Sequence, residues 1–334
     1  MKKDNKFSIA LLIQGPLESI GRSGEMAKLK AEGLKSSDLV RYDCRKCIDE
    51  LVTKYGYLFD QIILSTWDDE KFEYENEALE IYKFNKSTVP DIVPNRTLMK
   101  NKYMQKNNML ISFYGCFYGL KKIKKSINHI VRIRTDTIIN LKLIYDFMIN
   151  QYENETICIP KIKKSPYFVD LYFAGSKKII NKFINASIAK DKKGDVIYSN
   201  SPHIQPLLKF AYSEEFDSFP FEDKFFKKFG ESSLEQYIIL YKIFSKYFRA
   251  LPFQVAKELY WRGSQFPKES SWLKSKVEKL DFDCNNYYQR KLWNSSRSKV
   301  FLAKKYIRKI FLAVKNFFKI VKTYQNFFNI FFDT

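Results

Sequence analysis

Two short and almost continuous apolar runs constrain the fold of this chain more than any other feature. They cover residues 7–13 and 61–67, and neither alternates between apolar and polar side chains. Runs of this kind are typical of strands that are buried on both faces of a parallel sheet. Apolar residues with helical spacing at 38–55 lie between them. The first 70 residues therefore predict a strand–helix–strand unit at the start of an α/β fold.

The same alternation of strand and helix continues along the chain. Residues 102–125 have the pattern of a long helix, and a strand at 129–137 follows it. The patterns predict further strands at 156–160 and 169–175, a helix from Ser176, and helices at 204–212 and 232–248. We therefore predict one sheet domain, flanked by helices, over residues 1–260.

The segment at 261–334 differs from the rest and is predicted to be a helical extension. Between 299 and 322 it carries only basic charges, and no acid occurs before Asp333. The basic residues are Lys299, Lys304, Lys305, Arg308, Lys309, Lys315, Lys319 and Lys322. All but the first fall on one side of a helix, with bulky apolar residues opposite. This pattern predicts an amphipathic helix at about 299–330 on an anionic membrane surface. The alternative is a helix that packs on its own domain.

The formal net charge of +21 (58 basic minus 37 acidic residues) indicates an anionic partner. A chain rich in Lys, Asn and Ile can also owe such an excess to the base composition of its genome. The aromatic residues, 17% of the chain, fall mostly in the apolar runs. The sequence has no zinc-finger, helix-turn-helix or RNA-recognition signature. We therefore expect no nucleic-acid partner, although a basic nucleic-acid-binding protein remains an alternative.

The cysteines and the apolar runs bear on the expected compartment. Of the five cysteines only Cys44 and Cys47 are close, and no second pair or histidine accompanies them. A zinc site needs about four ligands, so we interpret them as ordinary thiols in a reducing compartment, within a helix. No run reaches the roughly 18–20 apolar residues of a membrane span. We expect a cytoplasmic protein, peripheral on the inner face of the bacterial cytoplasmic membrane.

Polar and glycine residues cluster where the predicted strands end. In open α/β sheets, ligands bind beyond the carboxyl ends of the strands. There a Gly-Pro turn allows close approach to the backbone, Gln and Trp suit a base, and Asp suits a divalent cation. The candidates for binding are Gln14, Gly15, Pro16, Thr66, Trp67, Asp68, Arg134 and Asp136, and Asp170 lies at the start of the next predicted strand, 169–175. No Gly-x-Gly-x-x-Gly or P-loop motif occurs, which disfavours dinucleotide oxidoreductases and P-loop NTPases.

Three of these motifs, in this order, resemble the WavE family of bacterial lipopolysaccharide-synthesis proteins. They are Ile-Gln-Gly-Pro at 13–16, Ile-Leu-Ser-Thr-Trp at 63–67 and Arg-Ile-Arg-Thr-Asp at 132–136. The resemblance covers roughly residues 7–240. It departs at Asn107-Asn108-Met109, where the family often has Asn-Arg-Gln. It implies a GT-A-like, Rossmann-like nucleotide-sugar domain. It also implies transfer of a sugar from a nucleotide-sugar donor to a lipid-linked or polysaccharide acceptor in lipopolysaccharide or capsule synthesis.

The resemblance also implies roles for individual residues. GT-A enzymes commonly use Asp-x-Asp, of which this chain keeps only the last acid, so Asp136 is expected to bind Mn²⁺ or Mg²⁺. Arg134 is expected to contact phosphate or ribose. The alternative is that Arg134 and Asp136 form a simple ion pair. In an inverting transfer a base must accept the hydroxyl proton, and Asp170 is the first candidate and Glu235 the second. A non-catalytic membrane-associated scaffold remains an alternative to the enzyme.

Overall fold

The computed structural model describes residues 7–21, 40–90, 92–94, 108–153, 155–160, 168–190, 196–198, 205–216, 243 and 246–265. The predicted amphipathic helix at 299–330 and Glu235 lie outside these residues. No helix in these ranges is long and apolar enough to cross a lipid bilayer.

The described residues form fourteen strands and six α-helices. The strands are β1 (Ile9–Gln14), β2 (Glu18–Gly21), β3 (Val40–Asp43), β4 (Gln61–Trp67), β5 (Glu80–Phe84), β6 (Ile92–Pro94), β7 (His129–Arg134), β8 (Thr137–Ile138), β9 (Ile157–Ile159), β10 (Tyr172–Ser176), β11 (Val196–Tyr198), β12 (Phe248–Ala250), β13 (Tyr260–Trp261) and β14 (Ser264–Gln265). The helices are α1 (Arg45–Tyr55), α2 (Asn108–Leu120), α3 (Leu141–Asn150), α4 (Lys177–Ile188), α5 (Gln205–Phe216) and α6 (Phe253–Lys257).

Seven strands form a central sheet in the order β5-β4-β1-β7-β10-β9-β12. All of them run in one direction except β10, which is antiparallel to both of its neighbours. The mostly parallel sheet confirms the predicted α/β fold class. The β4 strand occupies residues 61–67, as its apolar run predicts, and β1 lies one to two residues further along than its run.

The core consists of two apolar layers, one on each face of the sheet. Alternate residues of β1 face opposite sides: Leu12 packs with α2, α4 and α5, whereas Leu11 and Ile13 pack with α1 and α3. Since both faces are covered by helices, every residue of β1 and β4 is buried. This burial explains why these strands appear in the sequence as continuous apolar runs.

The prediction of a helix at 38–55 is wrong in its first part. Residues 40–43 form β3, which pairs antiparallel with β2, and helix α1 starts only at Arg45. Pairing of Tyr42 with Ser19 is a long-range interaction that helical periodicity cannot reveal. The helix predicted up to residue 248 is also wrong at its end, because Phe248 begins β12 and pairs with β9. The short hairpin of β13 and β14 begins at Tyr260, the last residue of the predicted sheet domain, and its first strand pairs with β8.

Candidate functional site

The sheet has a topological switch point between β1 and β7. From β1 the chain moves outward through β4 to β5, and it then returns to place β7 on the other side of β1. In open α/β sheets, the crevice beyond the carboxyl ends of two such strands is the usual ligand site. Here that crevice lies between Gln14, the last residue of β1, and Arg134, the last residue of β7, which are paired in register.

The turn after β1 brings three strands together. The amide of Gly15 donates to the carbonyl of Ser65 on β4 at 3.1 Å, and the amide of Thr135 donates to the carbonyl of Gln14 at 3.2 Å. Gly15 has φ +144°, and a Cβ on it would lie 2.5 Å from Thr135 Oγ1. Only glycine suits both this backbone conformation and this close approach. The predicted Gly-Pro turn therefore lies at the crevice, with Pro16 half-buried beside it.

Arg134 is held between two carboxylates at the end of β7. Its Nε and Nη2 donate to Asp136 Oδ1 and Oδ2 at 2.9 and 2.8 Å, and its Nη1 donates to Asp170 Oδ2 at 3.0 Å. Asp170 reaches this edge because it lies two residues before β10, the antiparallel strand next to β7. The Arg134 side chain is 21% exposed, against 1% for Asp136. The structure thus brings three predicted residues into one cluster.

Three further donors surround Asp136. Ser19 Oγ and Trp261 Nε1 donate to its Oδ2 at 3.0 and 3.2 Å. Arg262 Nε lies 3.1 Å from the same oxygen and donates to Ser19 Oγ at 2.8 Å. The side chain of Arg262 is 9% exposed. Asp136 is therefore a buried carboxylate shared by two guanidinium groups.

The sequence gives no sign that Trp261 and Arg262 belong to this cluster, since they lie 125 residues or more from Asp136. They arrive through β13, which pairs with β8 directly after Asp136. The amide of Arg262 donates to the carbonyl of Asp136 at 2.9 Å, and Arg262 has φ +49°. Such a conformation is uncommon for a residue other than glycine and occurs where surrounding contacts enforce it. Here those contacts are the hydrogen bonds to Asp136 and Ser19.

These contacts shift the pKa values of the charged groups. Burial acts to raise the pKa of Asp136, but the charges of Arg134 and Arg262 outweigh it and hold that pKa well below its usual value. Burial acts to lower the pKa of Arg134, yet the charges of Asp136 and Asp170 raise it above normal. Asp136 and Arg134 are therefore both charged at neutral pH.

A third arginine lies beneath the crevice. Arg132 is 1% exposed and donates to the backbone carbonyl of Asp170, to Gln14 Oε1 and, at 2.7 Å, to Ser112 Oγ. Ser112 Oγ also donates to Gln14 Oε1 at 3.0 Å. Burial lowers the pKa of Arg132 from its usual value. An arginine between two apolar residues of β7, Val131 and Ile133, is the sequence signal that points to this group.

Within the described residues, the buried Arg132 forms no ion pair with a carboxylate, whereas Arg134 and Arg262 both lie against Asp136. The hydrogen bonds of Arg132 go to neutral acceptors. A buried charge without a full counterion is costly, so the cluster is suited to an anionic ligand.

The predicted residues after β4 are placed differently from those after β1 and β7. Trp67 is 7% exposed and packs edge-on against Phe84, with ring centroids 5.0 Å apart, so its ring belongs to the core. Thr66 is fully buried, and its hydroxyl has no hydrogen-bond partner within the described residues. Asp68 is exposed and forms a backbone hydrogen bond to Phe84. This arrangement does not support base stacking by Trp67.

The surroundings of Asp136 do not suit a divalent cation. Both carboxylate oxygens already accept hydrogen bonds from Arg134, and Arg262 lies against one of them. Within the described ranges, no three His, Cys, Asp or Glu side chains form a group that could hold a metal ion. The arrangement favours the ion-pair alternative for Arg134 and Asp136.

Cys44 and Cys47 lie close to this cluster but are buried, free thiols. Cys47 lies inside α1, as the sequence predicts, whereas Cys44 precedes the first residue of α1 and follows β3. Burial, aided by the charge of Asp136, raises the pKa of Cys44. Burial likewise raises the pKa of Cys47 to about 12. Both thiols are therefore protonated and unreactive at neutral pH.

No protein-family model matches the chain, and no curated protein matches it at a significant level. Among solved structures, it is similar to a 4-diphosphocytidyl-2C-methyl-D-erythritol synthase from Anaerococcus prevotii (12% identity, TM-score 0.29), covering 63% of this chain and all of that one. It is also similar to a protein of Bacillus anthracis described as a glucose-1-phosphate thymidylyltransferase (10% identity, TM-score 0.30), covering 66% of this chain and 98% of that one. Similarities this weak carry no functional argument, and the resemblance to the WavE family remains a prediction.

Proposed function

We propose that this protein is a glycosyltransferase that binds a nucleoside diphosphate sugar in the crevice between β1 and β7. The observation that carries the proposal is the pair of arginines at this switch point: Arg134 ends β7 beside Gln14, and the hydrogen bonds of the buried Arg132 go to neutral acceptors. A diphosphate is the anionic part of such a donor, and it becomes the leaving group in the reaction. Charge neutralisation at that position both binds the donor and stabilises the transition state.

Arg134 is the residue that we expect to contact the diphosphate. An arginine has five N–H donors in a planar fork, and Arg134 uses three of them on Asp136 and Asp170. The two remaining N–H groups are on Nη1 and Nη2, at the partly exposed end of the side chain. Two such donors match two oxygens of one phosphate. The carboxylates hold the fork in place, so little entropy is lost when the phosphate binds.

The transfer itself requires one proton acceptor. The acceptor hydroxyl loses its proton, its oxygen bonds to the anomeric carbon, and the bond from that carbon to the diphosphate oxygen breaks. In an inverting reaction, we expect Asp170 to accept the proton, since its Oδ1 makes no hydrogen bond within the described residues while Oδ2 binds Arg134. Glu235 remains the second candidate from the sequence.

The acceptor class comes from the sequence. The resemblance to the WavE family favours a growing lipopolysaccharide or capsular polysaccharide, and the basic pattern at 299–322 favours work at an anionic membrane surface. Binding of the full chain to vesicles with and without anionic lipid tests this part separately. We expect binding only to anionic vesicles, and weaker binding as the salt concentration rises.

A screen of nucleoside diphosphate sugars tests the proposed activity. Thermal shift and release of nucleoside diphosphate are measured for wild type, Arg134→Lys and Arg249→Lys. Arg249 lies on β12, the edge strand at the far end of the sheet. It is a matched control because its side chain is similarly exposed, at 16%, and pairs with Glu153. We expect one donor to stabilise wild type and Arg249→Lys, and Arg134→Lys to bind it about 10- to 100-fold more weakly.

Four results would count against the proposal. If none of the donors stabilises the protein, the proposed binding site is contradicted. Equal affinity in Arg134→Lys and wild type would remove the role of this arginine. Donor binding without transfer to any polysaccharide or lipid-linked acceptor would favour a non-catalytic scaffold instead, and tight binding of RNA or DNA at physiological salt would favour a nucleic-acid-binding protein.

A further inference from the structure

The role of Asp136 can be inferred from the direction of its contacts. Its carboxylate accepts hydrogen bonds from Arg134, Ser19 and Trp261, and Arg262 lies 3.1 Å from Oδ2. The residue is 1% exposed. A carboxylate that binds a metal ion must direct a lone pair at the cation, and each oxygen here is directed at N–H or O–H groups. Asp136 is thus placed to hold side chains and not an ion.

The charge of the cluster points the same way. Two guanidinium groups lie within 3.1 Å of the Asp136 carboxylate, so a divalent cation there would add two positive charges beside them. Repulsion between like charges is strong where water is largely excluded. A diphosphate, in contrast, would be attracted by these guanidinium groups and by the buried Arg132. The geometry therefore favours an anion that arrives without a cation at this carboxylate.

We propose that this site binds the diphosphate of its donor without a divalent metal, and that Asp136 is a positioning residue that fixes Arg134 and Arg262. The inference rests on the proposed function. In this arrangement, guanidinium groups supply the charge that a metal supplies in enzymes with a complete Asp-x-Asp. Asp136 acts by orientation: it engages Nε and Nη2 of Arg134 together, which sets the plane of the guanidinium.

The decisive experiment uses the wild-type protein. Binding of UDP, CDP, GDP, ADP and dTDP is measured by titration calorimetry in excess EDTA and again with Mn²⁺ or Mg²⁺. We expect one of these nucleotides to bind in EDTA, with an affinity within about threefold of that with metal. Binding that appears only with metal would overturn the inference and leave the proposed donor site intact. No binding under either condition would overturn both.

A variant then separates positioning from metal binding. In Asp136→Asn the amide can no longer accept both arginine donors, so we expect at least about tenfold weaker binding, and by the same factor in EDTA and in Mn²⁺. Asp146→Asn is the control, because Asp146 pairs with Lys142 on the exposed face of α3. A loss confined to the Mn²⁺ titration would assign Asp136 to a metal and overturn the inference. If Asp136→Asn does not fold, the wild-type titrations alone decide.

Discussion

Arg134 and Asp136, two residues apart at the end of one strand, face each other through two parallel hydrogen bonds of 2.9 and 2.8 Å. This bidentate pair is the centre of the cluster, since Asp170 binds the same guanidinium and Arg262 lies against the same carboxylate. A backbone hydrogen bond also fixes this segment, because the amide of Thr135, between the two residues, donates to the carbonyl of Gln14. Predictions about this pair therefore test the site as a whole.

Replacement of Asp136 by Asn is expected to destabilise the protein by about 3–5 kcal/mol at neutral pH, because it leaves two buried arginines without their shared carboxylate. Urea denaturation followed by circular dichroism measures the change. In the control Asp146→Asn, which breaks an exposed pair with Lys142, no measurable loss is expected. Equal losses in the two variants would contradict the central role of Asp136.

The pH dependence of stability is expected to carry the same signature. The pKa of Asp136 is well below its usual value in the folded protein, so the unfolded chain binds a proton at this group more readily. The stabilisation is complete above the unfolded pKa of about 4 and is lost as the pH falls below it. Between about pH 4 and 2, the unfolding free energy of wild type is expected to fall more steeply than that of Asp136→Asn. Parallel curves would argue against this assignment.

Gly15→Ala is expected to destabilise the protein by about 1–3 kcal/mol, because φ is +144° and the new Cβ would meet Thr135 Oγ1 at 2.5 Å. The turn must shift to relieve the contact, so nucleotide affinity is expected to fall as well. Gly56→Ala is the matched control, since Gly56 has an ordinary φ of −56° and its new Cβ would meet only side-chain methyl groups, of Ile62 at 3.1 Å and of Val52 at 3.7 Å. Equal thermal shifts in both variants would show that the turn tolerates a side chain.

Trp261→Phe tests whether the hairpin of β13 and β14 supports the cluster. The change removes the indole donor that lies 3.2 Å from Asp136 Oδ2 and keeps an aromatic ring. Because Asp136 retains its other donors, we expect a modest loss of stability, about 1–2 kcal/mol, and a nucleotide affinity lowered several-fold. Tyr260→Phe, at the exposed neighbouring position, is the control and is expected to change neither. A silent Trp261→Phe would show that the indole hydrogen bond is dispensable.

The sequence predicts the strands that form this site, because a strand is recognised from the pattern of neighbouring residues. Apolar runs locate β1 and β4, and the residues after a strand end are placed by the parallel sheet itself. Asp170 was predicted beside a strand end and does lie at this edge, although the strand that follows it, β10, is antiparallel.

The rest of the site depends on contacts between distant residues. Trp261 and Arg262 reach Asp136 only through the pairing of β13 with β8, and no short motif marks that pairing. Trp67 has a side chain that could stack on a base, but tertiary packing buries it against Phe84. The role of Asp136 likewise follows from its neighbours, since a strand-end Asp that binds a metal and one that binds arginines have the same sequence.

Gln14→Glu changes the charge beside Arg132 while it keeps the shape of the site, so it tests the contribution of that charge. Gln14 Oε1 already accepts hydrogen bonds from Arg132 and Ser112, so a carboxylate can keep these contacts and add a counterion for the buried arginine. We expect the unliganded protein to gain about 1–3 kcal/mol of stability. Because the added carboxylate neutralises the positive charge of Arg132, we also expect nucleoside diphosphates to bind at least about tenfold more weakly.

The matched control is the same substitution at the other end of the parallel strands, Gln61→Glu. Gln61 Nε2 donates to Glu80 Oε1 at 3.0 Å, so a carboxylate there would face another carboxylate and is expected to destabilise the protein. Opposite signs of the two stability changes, with loss of nucleotide affinity only in Gln14→Glu, would support a crevice tuned for an anion. A destabilised Gln14→Glu variant with unchanged affinity would show that the positive charge of Arg132 does not contribute to binding.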